Sequence, residues 1–298
     1  MLSALPLLRA QDNATIRVDV KVVNILASVR TKKGEIISNL TQEDFSVAEN
    51  GRPQKLRYFA RETDLPLTIG LMVDTSMSQE KVLIQERGAC RRFLDQVLRP
   101  EKDQVFLMQF DMSVKTAQIL TSSRQKLDEA LAFVDTPTRS QLMQQVGGGT
   151  LLYDAMAIGA DEVMSKVTGR KAMIVLSDGV DTGSHRAILD SIEAALRNDT
   201  IIYSIYFTDA GAYGGFGPNG KAVLQRMARE TGGAFYEVTK KLSIEQVFDL
   251  IQDELRSQYS LGYVSDVPVD VSEFRRIQLA VKQKGLVIQA RDRYWAKR

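Results

Sequence analysis

Pro66-Leu-Thr-Ile-Gly-Leu-Met-Val73 is an unbroken apolar run, and Asp74-Thr75-Ser76-Met77-Ser78 follows it directly. A strand that is apolar at successive positions is covered on both faces, as in a parallel sheet flanked by helices. The pentapeptide then opens an amphipathic pattern over 79–98. Strand, tight turn and helix in that order start a βαβ unit, and the chain beyond repeats it. Strands are expected over 104–110, 172–176, 201–207 and 234–238, with an edge strand over 114–120. Helical patterns cover 124–134, 151–167, 185–197, 221–231 and 244–257. Such alternation predicts right-handed crossovers and an α/β, doubly wound, mainly parallel sheet over 66–253.

The flanks read differently. Ile16-Arg-Val-Asp-Val-Lys-Val-Val23 alternates at period two, the mark of a half-buried strand. Thr41-Gln-Glu-Asp44 reads as a capped turn. Asn50-Gly51 suits a tight hairpin between 45–48 and 54–59. At the other end, 276–282 and 286–291 alternate around Gln283-Lys-Gly285, which predicts a second hairpin. Neither zone alone holds a convincing core. We expect 15–62 and 258–298 to form one discontinuous, small β-sandwich interrupted by the α/β unit.

Bulk properties narrow the function classes. The chain has 298 residues, 44% hydrophobic and 26% charged, enough for one large and one small domain. A net charge of +2 gives no basic footprint for nucleic acid or an anionic membrane, and Arg275-Arg276 and Lys297-Arg298 read as solvated positions. One cysteine, Cys90, allows no internal disulfide; it falls in the amphipathic 79–98 pattern, where a small buried residue is expected. No stretch is long and apolar enough to span a bilayer. Residues 1–14 read as a signal remnant or a mobile N-terminus: an apolar start turns abruptly polar near Ala10, but no basic segment precedes it.

The chemistry concentrates at the turn after the apolar strand. In an open α/β sheet, ligands bind outside the carboxyl ends of strands. Asp74, Ser76 and Ser78 offer three hard oxygens from one turn, which suits Mg²⁺, Mn²⁺ or Ca²⁺ rather than zinc. Taken alone, the two serines can equally be helix caps. Two further segments tip the balance. Gly147-Gly-Gly-Thr150 is a glycine loop ending in a hydroxyl at a helix start. Ser177-Asp178-Gly179 follows the buried strand 172–176. Three loops with oxygen donors at one sheet edge are hard to explain by capping alone.

Asp-x-Ser-x-Ser, the segment Gly148-Gly-Thr-Leu-Leu-Tyr-Asp-Ala155 and Leu176-Ser-Asp-Gly179 together resemble the metal-ion-dependent adhesion site of von Willebrand factor A domains, over about 66–253. Leu40-Thr-Gln-Glu-Asp-Phe-Ser-Val47, Tyr259-Ser-Leu-Gly-Tyr263 and the end at Arg293-Tyr294 are similar to a bacterial, acidobacterial-type subgroup. The resemblance implies that Ser76 and Ser78 bind a cation directly, that Asp74 and Asp178 bind it directly or through water, and that Thr150 joins when a partner is engaged. It also implies one coordination position for a carboxylate of a protein partner, no catalytic residues, and a secreted, periplasmic or cell-surface location. Met77 departs from the pattern; many members carry glycine there.

Other candidates read as structural. His185, the single histidine, sits at a helix start without a G-x-S-x-G nucleophile turn. Asp154 falls in a first helical turn, where the dipole favours its charge. Asp111 follows the strand ending in Phe110, near the same edge. The glycine-rich loop 211–220 lacks a dinucleotide-binding context, although Tyr213 and Phe216 suit partner contact. Trp295 is expected to pack on the β zones. The competing function is a metal-dependent phosphohydrolase on a similar sheet. A haloacid dehalogenase-type enzyme wants an acid two residues after its first Asp, where this chain has Ser76.

Overall fold

The computed structural model describes residues 22–61, 65–138, 140, 149–207 and 219–297. The N-terminal segment 1–14, the strand start 16–21, Gly147, Gly148, and the Tyr213 and Phe216 loop lie outside them. In chain order the strands and helices are β1 (Val22–Thr31), β2 (Phe45–Glu49), β3 (Arg52–Gln54), β4 (Leu56–Arg61), β5 (Leu67–Asp74), α1 (Leu83–Val97), β6 (Gln104–Phe110) and β7 (Val114–Thr121). Then come α2 (Arg124–Phe133), α3 (Leu152–Ile158), β8 (Arg170–Ser177), α4 (Ile188–Arg197), β9 (Thr200–Tyr206), α5 (Gly220–Thr231), β10 (Phe235–Glu237) and α6 (Ile244–Arg256). The chain finishes with β11 (Tyr259–Val264), β12 (Glu273–Val281), β13 (Leu286–Ala290) and β14 (Arg293–Ala296).

The central sheet has the order β10-β9-β8-β5-β6-β7, and only the β7 edge is antiparallel. Every residue of β5 is buried. Leu67, Ile69, Leu71 and Val73 point to one face, where α1, α2 and α6 close a core around Phe93, Leu131 and Phe248. Met72 points to the other, with α3, α4 and α5. This is the two-sided cover that the apolar run predicts. Strand order reverses at β5: the chain moves one way to β6 and the other way from β8 to β9. The cleft between the carboxyl ends of β5 and β8 is therefore the switch point, where such sheets bind ligands.

The flanking zones build two antiparallel four-stranded sheets, β13-β1-β11-β4 and β14-β12-β2-β3, each using strands from both ends of the chain. Val23, Ile25, Ala27 and Val29 of β1 face a shared core with Val47, Tyr259, Leu261 and Ile277. The turn over Thr41–Asp44 is capped as expected, with the Asp44 carboxylate accepting the Thr41 N–H at 2.8 Å.

One predicted hairpin forms, with β2 paired to β3 across a shorter second strand, and the other does not form. Asn50 and Gly51 do make a tight turn, with φ of 47° and 81°. Its second strand stops at Gln54, however, and β4 pairs with β11 in the other sheet. Similarly, β12 pairs with β2 and β14, whereas β13 pairs with β1. Period-two alternation is the same whether a strand joins its sequence neighbour or crosses the core to the facing sheet, so the pattern alone does not choose.

Arg275, expected to be solvated, is instead buried, at 1% exposure. It alternates inward with Ile277 while Arg276 stays outside. The Glu49 carboxylate accepts hydrogen bonds from Arg275 (3.1 Å), Tyr263 (2.8 Å), Tyr294 (2.9 Å) and Ser265 (2.7 Å), so the buried charge is paired and solvated by the protein. Trp295 packs edge-on against Phe274 at 4.9 Å between centroids.

Candidate metal centre

Parallel register sets the levels of the three loops. Val73 is opposite Leu176, and Asp74 is opposite Phe110. Asp74 therefore ends β5 beside Ser177, the last residue of β8, and Asp178 starts the next loop. Asp74 is fully buried and Asp178 nearly so, while Ser76 and Ser78 are half-buried.

The side chains join in one hydrogen-bonded sequence. Asp74 Oδ1 accepts the Ser76 N–H at 2.9 Å, which folds the turn back on its own carboxylate. Asp74 Oδ2 accepts the Ser177 hydroxyl at 2.6 Å. Ser76 Oγ lies 3.0 Å from Ser78 Oγ, and Ser78 Oγ donates to Asp178 Oδ2 at 2.6 Å. Asp178 Oδ1 accepts the Val180 N–H at 3.0 Å. Four of the five predicted residues are thus brought together.

Thr150 reaches the same edge through its backbone. Its N–H donates to Thr182 Oγ1 at 2.9 Å, and its carbonyl accepts the Thr182 N–H at 3.1 Å. Its neighbour Leu151 donates an N–H to the Asp111 carbonyl at 2.9 Å. The absence of a side chain at Gly149 permits this approach: a β-carbon there would lie 2.9 Å from the Thr182 backbone.

The Asp178 loop is held by a second close approach. A β-carbon on Gly179, whose φ is +75°, would lie 2.2 Å from the Gly220 carbonyl oxygen at the start of α5. The reciprocal β-carbon on Gly220 would lie 2.1 Å from the Asp178 carbonyl oxygen. Both positions require glycine, and together they set where Asp178 points.

Two residues gain roles that spacing alone did not give them. Ser177 was visible only as the neighbour of Asp178, yet it holds Asp74 and also accepts the Gly179 N–H at 2.9 Å. Asp111 had positional support only. Its carboxylate accepts the Thr75 hydroxyl at 2.9 Å, tying the Asp74 turn to the strand beside it. Asp154 and Asp181 prove to be loop staples. Asp154 accepts the His185 and Arg186 N–H groups, and Asp181 accepts those of Tyr153 and Ser184. His185 is exposed, and so is Met77, at 43%.

Burial and the nearby Asp178 charge push the Asp74 carboxyl up to about 7. Glu86, on the buried face of α1, is also raised, by burial first and then by Asp74 and Asp178. The Asp178 charge thus opposes ionisation of Asp74, and both charges oppose that of Glu86, which an added cation would relieve. Among the described residues no group of three or more His, Cys, Asp or Glu is arranged to hold a metal. The oxygens available here are two carboxylates and neighbouring hydroxyls, a set that fits a hard divalent ion.

The family model described as von Willebrand factor type A domain matches residues 68–250. No curated protein sequence matches the chain. Among solved structures, a von Willebrand factor type A protein from Catenulispora acidiphila aligns with TM-score 0.51 and 12% identity, over 84% of this chain and 73% of that one. Proximal thread matrix protein 1 from the mussel byssus gives 0.50 at 15% identity, over 70% and 51%. The pilus adhesin SpaC from Lactobacillus rhamnosus GG, in its open conformation, gives 0.50 at 10% identity, over 85% and 47%. Identities this low speak to fold alone, whereas the family model spans more than half of the sequence: the chain belongs to the von Willebrand factor type A domain family.

Proposed function

We propose that the chain is a metal-dependent protein-binding module, serving adhesion or assembly. Ser76 and Ser78 bind one divalent cation, Mg²⁺ or in its place Mn²⁺ or Ca²⁺. Asp74 and Asp178 bind it directly or through water, and Thr150 joins when a partner is engaged. When bound, the ion supplies positive charge that two carboxylates and neutral hydroxyls leave available to an acidic oxygen. The partner is accordingly a protein offering a carboxylate.

The observation that carries this reading is the hydrogen-bonded run Asp74, Ser76, Ser78, Asp178, which joins two loops 100 residues apart around two buried carboxylates. Side-chain capping accounts for none of it: Ser76 precedes the short turn Met77–Gln79 without a side-chain cap bond, and α1 is preceded by Val82. The named pilus adhesin and byssal matrix protein with this fold support a place outside the cytoplasm. Among the described residues no helix is long and apolar enough to cross a membrane. The phosphohydrolase alternative lacks its second acid, because Ser76 occupies that position and is engaged with Ser78.

Calorimetric titration of chelator-stripped protein with Mg²⁺ and Mn²⁺ tests the reading. Saturable one-to-one binding in the parent chain, absent in Asp178→Ala, is expected. Equal binding by the two, or none by either, overturns it. Capture of an acidic protein partner should stop in EDTA and resume with Mg²⁺. Turnover of a phosphate ester that depends on Asp74 would instead favour the enzyme.

A further inference from the structure

Helix α1 and the turn before it present Gln79, Leu83, Glu86, Cys90, Phe93, Leu94 and Val97 toward the protein interior, all buried and spaced mostly by three or four. Five of these positions are apolar, as a core-facing stripe requires. Gln79 and Glu86 are not, and both are 0% exposed. Neither end of the Gln79 amide nor either oxygen of the Glu86 carboxyl has a partner within the protein. Native proteins satisfy more than about 90% of buried polar groups. Here, four of the ten unpartnered buried side-chain atoms among the described residues lie on these two side chains.

Their location explains the concentration. Gln79 follows Ser78 directly and closes the turn Met77–Gln79. Glu86, two helical turns on, feels the charges of both Asp74 and Asp178. Packing alone would be better served by leucine at either position, because an aliphatic side chain leaves nothing to satisfy. Buried polar atoms without a protein partner, one pair of them within reach of the Asp74 and Asp178 charges, are the kind that an ordered water satisfies.

We propose that Glu86 and Gln79 are positioning residues of the cation site, holding ordered water against the inner side of Asp74 and Asp178 so that the ligands are braced from beneath. The inference rests on the cation reading above. Groups behind metal ligands orient them and commonly carry a tenfold or larger share of affinity. Glu86 also couples the site to α1, whose stripe runs on to Phe93, stacked on Phe248 of α6 at 4.6 Å.

The test uses the full chain, stripped of metal, with Mn²⁺ as the probe. Two quantities are read for the parent, Glu86→Leu, Glu86→Gln and Gln79→Leu: melting temperature in EDTA and the Mn²⁺ dissociation constant. Glu86→Leu is expected to melt above the parent in EDTA yet bind Mn²⁺ about tenfold more weakly. Glu86→Gln, which keeps the shape and hydrogen-bonding capacity, should retain more affinity than Glu86→Leu. Gln79→Leu should weaken binding in the same direction. Dissociation constants within twofold of the parent for the Glu86 and Gln79 variants overturn the positioning role, whatever their melting temperatures. A parent chain that binds no Mn²⁺ removes the cation reading itself, so the two failures are distinct.

Discussion

Asp74 is the residue on which fold and function pull in opposite directions. Its carboxyl is buried beside Asp178 and holds its proton up to about 7, against an ordinary 3.8. The folded state therefore keeps a proton that the unfolded chain has released. By linkage, this residue's contribution to stability is greatest in acid and falls as pH rises from about 4 to about 7 in the cation-free protein. Asp74→Asn should accordingly stabilise the cation-free chain by about 1–3 kcal/mol at pH 8 while abolishing Mn²⁺ binding. Urea melts in EDTA and calorimetry check the two halves. Because a ligand must shed its proton first, Mn²⁺ affinity of the parent should rise as pH climbs to about 7 and level off above; a flat profile counts against Asp74 as a ligand. At this scale the sequence was largely legible. Asp74, Ser76, Ser78 and Asp178 could be picked out because each follows a recognisable strand end. Ser177 and Asp111 could not be assigned so readily, since their hydrogen-bond partners are 103 and 36 residues away and only the fold brings them together. A polar residue on an apolar stripe was the one signal that would have found Glu86.

At the scale of elements, the parallel strands and helices follow from their apolar patterns, because a strand covered on both faces has no other reading. The antiparallel flanks are harder. Alternation located β2, β12 and β13, but the pairing of β12 with β13 was wrong and the partner of β2 was drawn too long, since strands adjacent in sequence land in facing sheets. The loops around the site depend on backbone approach more than on side chains. Gly179→Ala removes no ligand, yet its β-carbon would collide with the Gly220 carbonyl oxygen at 2.2 Å in a conformation of positive φ. We expect a loss of about 2 kcal/mol or more and a fall in Mn²⁺ affinity, because the Asp178 loop must move. Unchanged affinity in a folded Gly179→Ala variant would show that the loop's position does not matter to binding.

For the whole molecule, β1 and β13 approach the edge of the central sheet away from the cation loops. A cavity of about 340 Å³ there is lined by Asn24, Leu26 and Arg291 on one side and by Arg170, Lys171 and Thr200, at the starts of β8 and β9, on the other. Arg30 of β1 pairs with Glu254 of α6, and Arg293 with Glu230 of α5 at 2.8 Å, so the flanking strands are joined to the α/β unit by charge as well as by packing. We propose that these strands form one discontinuous domain supporting the sheet from the edge opposite the cation site. Arg275→Leu, which leaves Glu49 buried without its cation, should cost about 3–5 kcal/mol in denaturation while leaving the Mn²⁺ dissociation constant of the folded chain unchanged. An equal fall in both would mean that the flanking strands shape the site. The central claim is best tested by diffraction from a crystal soaked in Mn²⁺. The anomalous map should hold one strong peak between the Asp74 turn and the Asp178 loop, about 2–2.3 Å from Ser76 and Ser78 Oγ. A map empty there at saturating Mn²⁺, or a peak held by other residues, would contradict the account.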